Sequence, residues 1–481
     1  MRVGLVAVPT VDAMDDRPPA PADVGPDGVE TTGAARAPVL RPVGSDAFRP
    51  CPPYAIYLLA GVLLSRGHDV VIADLVADGS GNLTPRGFED VDLVGVTSTS
   101  LSWAAARAAM ADVRAVRPDV PIVAGGVHAS QFDHWVLDHS EADLVIRGDG
   151  EYPLLALCDA LERGTELAAV PSLSWRRPDG TFARNPPGDK VSAADLTRWM
   201  PDYRQLPHRA YWGLALETAR GCAYDCSFCS TPHRKRWRGG DAVAVADRLE
   251  QLVPETERTI TRSVYLVDDE FTMNPGRARA IGDELTRREL PLGLLYDSRA
   301  PDMLRPGLLH SLAPHTRSLL VGAECGYDEG LARIGKGTTC DVLQRAAAAI
   351  ADAGIARSAD FSFILGLPWE GLAEVRRTIG FGFDLAQRFG VRLLFNWYAQ
   401  IPGSRLWAEA RARGLIHESR YDTLGVQRDP EVFFGSVHLT PDQIHMVASE
   451  IRAACDELGG RAPKPEFGLP PAVANPVRAA S

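Results

Sequence analysis

The chain has 481 residues and a mass of 51.9 kDa; 45% of its residues are hydrophobic and 23% charged, a balance that excludes a mainly disordered, collagen-like or coiled-coil chain and leaves room for two or three domains at ~150 residues each. Lys and Arg number 51 against 62 Asp and Glu, a formal charge of −11, which disfavours a protein that grips nucleic acid through a basic surface. No apolar run reaches the ~18 residues of a membrane span.

Met1 to Pro9 is apolar but short, and it runs into Asp12, Asp15 and Asp16. It reads as a first strand rather than a secretion signal, so the expected location is cytoplasmic. Residues 10–50 are rich in Pro, Gly, Ala and Asp without periodicity, the composition of a functional flap or a disordered segment. Pro52-Pro53 opens a helix from Tyr54 to Ser65, apolar on all sides, with Gly67 as its stop. Strands follow at Asp69–Asp74, Leu93–Val96, Ile122–Ala124 and Leu144–Ile146, with helices at Ala104–Val116, Phe132–Asp138 and Pro153–Arg163 between and after them. That alternation predicts an α/β, doubly wound, Rossmann-like parallel sheet over residues 1–165. Residues 166–210 read as a linker containing a hairpin around Pro178-Asp179-Gly180.

From Leu214 a second alternation begins. Strands are expected at Leu214–Thr218, Val264–Val267, Leu294–Tyr296, Leu319–Val321, Phe361–Ile364 and Leu393–Phe395. Helices are expected at Ala242–Val253, Gly276–Glu289 and Val342–Ala353, the last capped by Thr338 and Asp341 and stopped by Gly354. Six βα units over residues 211–410 predict a partial (β/α)6 barrel with its site at the C-terminal strand ends. Residues 411–481 read as a short helical region with a mobile Pro/Ala-rich tail.

Eight cysteines in a chain of this length do not make a disulfide scaffold. Three of them form C-x3-C-x2-C, Cys222, Cys226 and Cys229, in the first βα loop of the second series. Thiolates are soft ligands suited to iron–sulfur clusters, and three of them would ligate three irons of a 4Fe-4S cluster and leave the fourth open. Zinc would need a fourth ligand, which His233 supplies at C-x3-C-x2-C-x3-H.

This loop resembles the cluster motif of the radical S-adenosylmethionine (radical SAM) superfamily, including Phe228 before the last cysteine. Val267-Asp268-Asp269-Glu270-Phe271, Gly322-Ala323-Glu324, Gly335-Lys336-Gly337, Phe363 to Glu370 and Ile401-Pro402-Gly403-Ser404 resemble further motifs of that superfamily in the same order. The resemblance implies that S-adenosyl-L-methionine chelates the open iron. It also implies that Phe228, Asp268, Asp269, Glu324 and Gly366 line its site, and that the reduced cluster cleaves it to a 5′-deoxyadenosyl radical. An external electron donor such as flavodoxin or ferredoxin is then implied as a partner.

The first region resembles the cobalamin-binding domain that precedes the barrel in one radical SAM subgroup. The matching loops carry Thr97-Ser98-Thr99, Gly125-Gly126-Val127-His128 and Gly148-Asp149-Gly150-Glu151, at the strand ends where open α/β sheets bind ligands. The resemblance assigns Thr97, Ser98, Gly125, Gly126, His128, Gly148 and Glu151 to cobalamin. No D-x-H-x-x-G follows the first strand, so cobalt is expected to lack a histidine ligand from that loop, and His128 is expected at the cofactor's periphery.

The expected activity is C-methylation of an unactivated carbon of a small molecule in specialised-metabolite biosynthesis. The alternatives are non-methylating chemistry (cyclisation, ring rearrangement or sulfur insertion) and, more remotely, methylthiotransfer, whose usual N-terminal cluster cysteines are absent here. Cys325 reads as a small buried residue, Cys340 and Cys455 as packing residues, and Cys51 as a thiol at the mouth of the first domain. The run His233-Arg-Lys-Arg-Trp-Arg238 reads as a solvated rim or a counter-charge to cofactor groups.

Overall fold

A computed structural model describes residues 1–9, 11–13, 40–42, 51–78, 86–422, 433, 435–457 and 466–467. The expected flap over 10–50 and the tail beyond 459 lie outside these residues, apart from an antiparallel pairing of Val11–Ala13 with Leu40–Pro42 and the strand Glu466–Phe467.

The first sheet contains β1 (Arg2–Ala7), β2 (Asp69–Asp74), β3 (Leu93–Thr97), β4 (Ile122–Gly125), β5 (Leu144–Ile146), β6 (Leu173–Arg176) and β7 (Phe182–Arg184), in the order β2-β1-β3-β4-β5-β6-β7. The first five are parallel; β6 and β7 run antiparallel at one edge. The hairpin expected in 166–210 is therefore part of this sheet. β1 is buried along almost its whole length because both faces are covered. Leu5 packs on one face with the helices Tyr54–Leu64 and Glu151–Arg163, while Val6 packs on the other with the helix Trp103–Val116. The helix Tyr54–Leu64 is apolar all round for a visible reason. A Cβ on its Gly61 would lie 1.9 Å from the carbonyl oxygen of Met200, so the connector crosses its outer side at contact distance.

The second sheet contains β8 (Leu214–Leu216), β9 (Ser263–Leu266), β10 (Gly293–Ser298), β11 (Thr316–Glu324), β12 (Ala359–Leu365) and β13 (Arg392–Trp397), parallel and adjacent in chain order, and β14 (Glu466–Phe467) adds a seventh position beside β13. Three of the return helices start at a polar side-chain cap. Asp241 accepts from the amides of Val243 and Ala244, and Asn274 precedes Pro275 at the first helical position. The helix Cys340–Asp352 is capped by Thr339, which accepts from the amide of Val342, and not by Thr338 as expected.

The C-terminal region holds the two halves together. The helix Pro441–Glu457 buries Ile444, Val447 and Ile451 against the barrel. Asp422 accepts from the indole nitrogens of Trp103 and Trp135 in the first domain, at 2.8 and 3.0 Å.

Candidate active site

The cluster loop is fastened at both ends by the carboxylates that follow β9. Asp268 is buried and accepts from the amides of Thr218 and Ala219 at 2.5 and 2.9 Å. Asp269 accepts from the amide of Gly221 at 2.7 Å and from the hydroxyl of Thr231 at 2.6 Å. Gly221 sits at φ +93°, and a Cβ there would fall 1.8 Å from the carbonyl of Arg236, so only glycine fits. These two aspartates, expected at the SAM site, instead have their oxygens turned onto the loop that carries the cysteines.

Cys226 is buried and Cys222 and Cys229 are half-buried. Cys226 is near enough to both neighbours to raise their pKa values. Burial is the larger cause, and it pushes Cys222 up to about 11. Without a metal the Cys222 and Cys229 thiols hold their protons at neutral pH; the charge of bound iron would favour the thiolates. Among the described residues no three His, Cys, Asp or Glu side chains gather about one ion-sized point. His233, the ligand a zinc reading needs, lies 3.0 Å from Asp149 instead.

A second loop closes on the first. The amide of Ser227 donates to Ile334 at 2.9 Å, and Cys226 Sγ lies 3.8 Å from the carbonyl of Gly335. Next in the chain, Lys336 is buried and donates to Glu324 Oε1 at 2.7 Å. Burial pulls the Lys336 pKa down, but Glu324 and Cys226 outweigh it and leave the pKa raised. Glu324 ends β11 at φ +67°, a strained region for a residue with a Cβ. A Cβ at Gly322 would lie 2.5 Å from Glu324 Oε1 and 2.6 Å from Lys336 Nζ, so that glycine makes room for the ion pair. The structure thus brings Glu324 to the cysteines by way of Lys336. Phe228 packs half-buried against the main core. Gly366, at φ +77°, donates its amide to the buried Glu370 at 2.8 Å. Cys325 is fully buried, and burial holds its thiol far above the usual range.

Three groups here were not singled out in the sequence. Arg299 stacks on the ring of Tyr224, 3.4 Å from its centroid, and donates to the carbonyl of Lys336, bridging the two loops. Glu270 is pushed up to about 8 by burial, against the hydrogen bond from Thr272. Arg220, immediately before the cysteine motif, donates to Glu151 at 2.7 Å and to Glu217 at 2.6 Å and lies 3.1 Å from Asp149.

That last contact crosses between the domains. A cleft of about 590 Å³ opens there, within the size range of cofactor sites. One wall is Thr97, Gly125, Gly126, Gly148 and Glu151; the other is Arg220 and the segment from Ser230 to Arg234, directly after Cys229. The loops expected to hold cobalamin therefore meet across a shared cavity with the cluster loop. Gly125 suits a wall against a flat macrocycle, since a Cβ there would meet nothing within 4 Å. Gly126 serves differently. At φ +89° its Cβ would lie 2.4 Å from the carbonyl of Ser98, so at the cleft wall it lets two loops pack against each other.

Ser98 and His128 do not line the cleft. Ser98 is buried, and its carbonyl accepts from the amide of His128. His128 stacks on Trp103 with ring centroids 4.5 Å apart, and its Nδ1 lies 3.0 Å from the Ser100 hydroxyl. Burial pulls its pKa down to about 3, so it is a neutral core residue rather than a group at the cofactor's edge. Asp149, unassigned in the sequence, is the seam's acceptor. It lies 3.0 Å from His233 and 2.7 Å from Arg238; burial raises its pKa, but the hydrogen bond with His233 and the charge of Arg220 outweigh it and hold the carboxyl well below the usual range.

Comparison with known proteins agrees with this arrangement. The B12 binding domain family matches residues 40–158 and the radical SAM superfamily matches residues 216–382, in that order. The chain belongs to the cobalamin-dependent radical SAM enzymes. It is similar to an uncharacterized methyltransferase of Pyrococcus horikoshii, at 29% identity over 76% of this chain and 80% of that protein. It is also similar to the anaerobic magnesium-protoporphyrin IX monomethyl ester cyclase of Rubrivivax gelatinosus, at 28% identity over 74% of this chain and 66% of that one. Its fold matches that of the radical SAM methyltransferase TsrM of Kitasatospora setae, solved with cobalamin and a 4Fe-4S cluster, with a TM-score of 0.63 over 86% of this chain and 75% of that one. At 18% identity this likeness shows a shared architecture. No helix of the described residues is long and apolar enough to cross a membrane.

Proposed function

We propose that this enzyme is a C-methyltransferase that acts on an unactivated carbon of a small molecule. The observation that carries the reading is the shared cleft, with cobalamin-type loops on one wall and the segment leaving Cys229 on the other. When bound, the cluster and SAM supply a carbon-centred radical and cobalamin supplies a transferable methyl group. The chain's own residues fix where those groups meet. Cys222, Cys226 and Cys229 hold the cluster; Glu324, already oriented by Lys336, accepts from SAM's ammonium or ribose hydroxyls; Thr97, Gly125 and Gly148 bear on the macrocycle. Arg220 locks the two walls together through Glu151. His128, buried against Trp103, would not be available as a ligand to cobalamin bound there. A cytoplasmic setting, specialised metabolism and an external one-electron donor belong to the same reading.

The test is turnover with SAM deuterated on its methyl group. Methylation puts label in the product and forms S-adenosylhomocysteine together with 5′-deoxyadenosine. Unlabelled product with 5′-deoxyadenosine alone moves the assignment to cyclisation or another non-methylating outcome. The Rubrivivax relative's name supports that second reading.

A further inference from the structure

Beyond Arg234, which lines the cleft, the segment past the last cysteine carries exposed charge. Lys235 stands at the apex of a turn, at φ +60°, and its side chain is 68% exposed. Arg236 is exposed and has no ion-pair partner among the described residues. Arg405, 50% exposed, comes in from the first turn of the helix Arg405–Ala412. Arg234 lies beneath them. Arg234, Lys235 and Arg405 converge on one carboxylate, Asp225, at 3.9, 2.9 and 4.0 Å. Three cations thus share one anion, and the exposed Arg236 stands next to Lys235 in the chain, a local excess of positive charge on a chain whose formal charge is −11.

The patch is wired directly to the cluster loop. Asp225 lies between Cys222 and Cys226. Arg234 donates to the carbonyl of Cys229 at 3.1 Å, and Arg405 donates to the carbonyl of Asp225 at 2.8 Å. The carbonyl of Arg236 sits against Gly221, and the amide of Cys222 donates to His233 at 3.4 Å. A protein seated on these cations would stand one layer of backbone from the cysteines.

We propose that Arg234, Lys235, Arg236 and Arg405 form the docking surface for a small acidic one-electron carrier protein that reduces the cluster. The inference rests on the cluster assignment above. One electron leaves the carrier's reduced flavin or iron–sulfur centre and enters the cluster; no atoms are exchanged. Opposite charge steers encounter, and its effect is screened as salt rises. The patch is too small for nucleic acid, which needs a basic stripe along many phosphates.

The experiment titrates oxidised flavodoxin into the full-length, cluster-loaded protein by calorimetry at rising salt. It compares the wild type with Lys235→Glu/Arg236→Glu and with the neutral Lys235→Gln/Arg236→Gln. The expected result is affinity for the wild type that falls with salt, a loss of at least tenfold in the charge-reversed variant and a flatter salt slope in both variants. Cluster reduction by reduced flavodoxin should slow in step, while reduction by titanium(III) citrate should stay at the wild-type rate. Iron content and SAM binding, unchanged in both variants, exclude misfolding. Equal flavodoxin affinity in wild type and variants overturns the proposal. So does equal slowing with both reductants, or tighter binding of a single-stranded RNA than of flavodoxin. The cluster assignment fails separately: an intact iron content in the Cys222→Ala/Cys226→Ala/Cys229→Ala variant would remove it whatever flavodoxin does.

Discussion

Replacing Arg220 by Met keeps the side chain's length and removes its charge from the seam between the domains. Arg220 is the only ion-pair partner of Glu151 and Glu217 among the described residues, and it shares Asp149 with His233 and Arg238. All three carboxylates are at least nine-tenths buried. Removing one member of a buried ion cluster costs about 3–5 kcal/mol, because the remaining charges stay desolvated and unpaired. The sign of the pH dependence follows. Burial already holds the Glu217 carboxyl above the usual range even with Arg220 beside it, and without Arg220 it rises further. An acid whose pKa is higher folded than unfolded destabilises the fold above its unfolded pKa, and the penalty fades as pH falls toward that value. The variant should therefore lose about 3–5 kcal/mol at pH 8 and less than half of that at pH 5. Asp149 works in the opposite sense, since its depressed pKa contributes stability that is lost only below the acidic end of this window. Urea unfolding of the apo chain followed by tryptophan fluorescence, at pH 8, 6.5 and 5, reads both quantities. A loss under about 1 kcal/mol at pH 8, or one that stays constant down to pH 5, would refute the reasoning, since the seam would then be a solvated surface cluster.

Two further outcomes are expected. Gly125→Val should lower cobalamin affinity at unchanged stability, because its side chain enters open space at the cleft wall; Gly126→Ala should destabilise the fold by about 1 kcal/mol or more through φ +89° and the Ser98 carbonyl, with difference spectra of cobalamin uptake and thermal melts separating the two. Glu324→Gln should weaken SAM binding by about 10–150-fold, the equivalent of ~1.5–3 kcal/mol, while keeping the cluster; an unchanged SAM affinity would make the Lys336 pair a purely structural one.

Much of this architecture was legible in the sequence because parallel strands buried on both faces write themselves as short apolar runs between helical patterns. All six barrel strands appear where they were expected, with ends shifted by one to three residues. The cysteine motif is visible in the sequence because its three residues lie within eight positions of one another. What escaped was set by partners distant in sequence. Asp268 and Asp269 sit in a motif that suggests ligand contact, yet their hydrogen bonds run to residues about 40 to 50 positions away, and no local pattern encodes that. His128 follows two cleft glycines, but the short helix Gly126–Gln131 turns it back onto Trp103, where burial decides its role. Arg220 and Asp149 are ordinary loop residues until the domains dock. Thr338 and Thr339 compete for one cap, and a one-residue choice is made by backbone geometry rather than residue type.

The cluster loop is fixed from four directions, and each fastening has a different origin. Asp268 and Asp269 hold its ends from the next strand of the barrel. The Gly335-Lys336 loop holds its middle through Cys226, Ser227 and the stacked Arg299. Arg234 holds the carbonyl of Cys229. Arg220 and His233 tie its flanks to Glu151 and Asp149 in the cobalamin-binding domain. Charge-assisted hydrogen bonds of this kind contribute about 1.5–3 kcal/mol each when desolvated, against about 1 for neutral ones. The loop that carries the cysteines therefore moves with both domains or with neither. Radical transfer and group transfer both fall off steeply with misplacement, so a seam of buried charge is where a two-cofactor enzyme gains most from rigidity. On the proposed reading, a substrate entering a cleft whose walls are pinned to each other by Arg220 would meet both cofactor sites in one fixed relation.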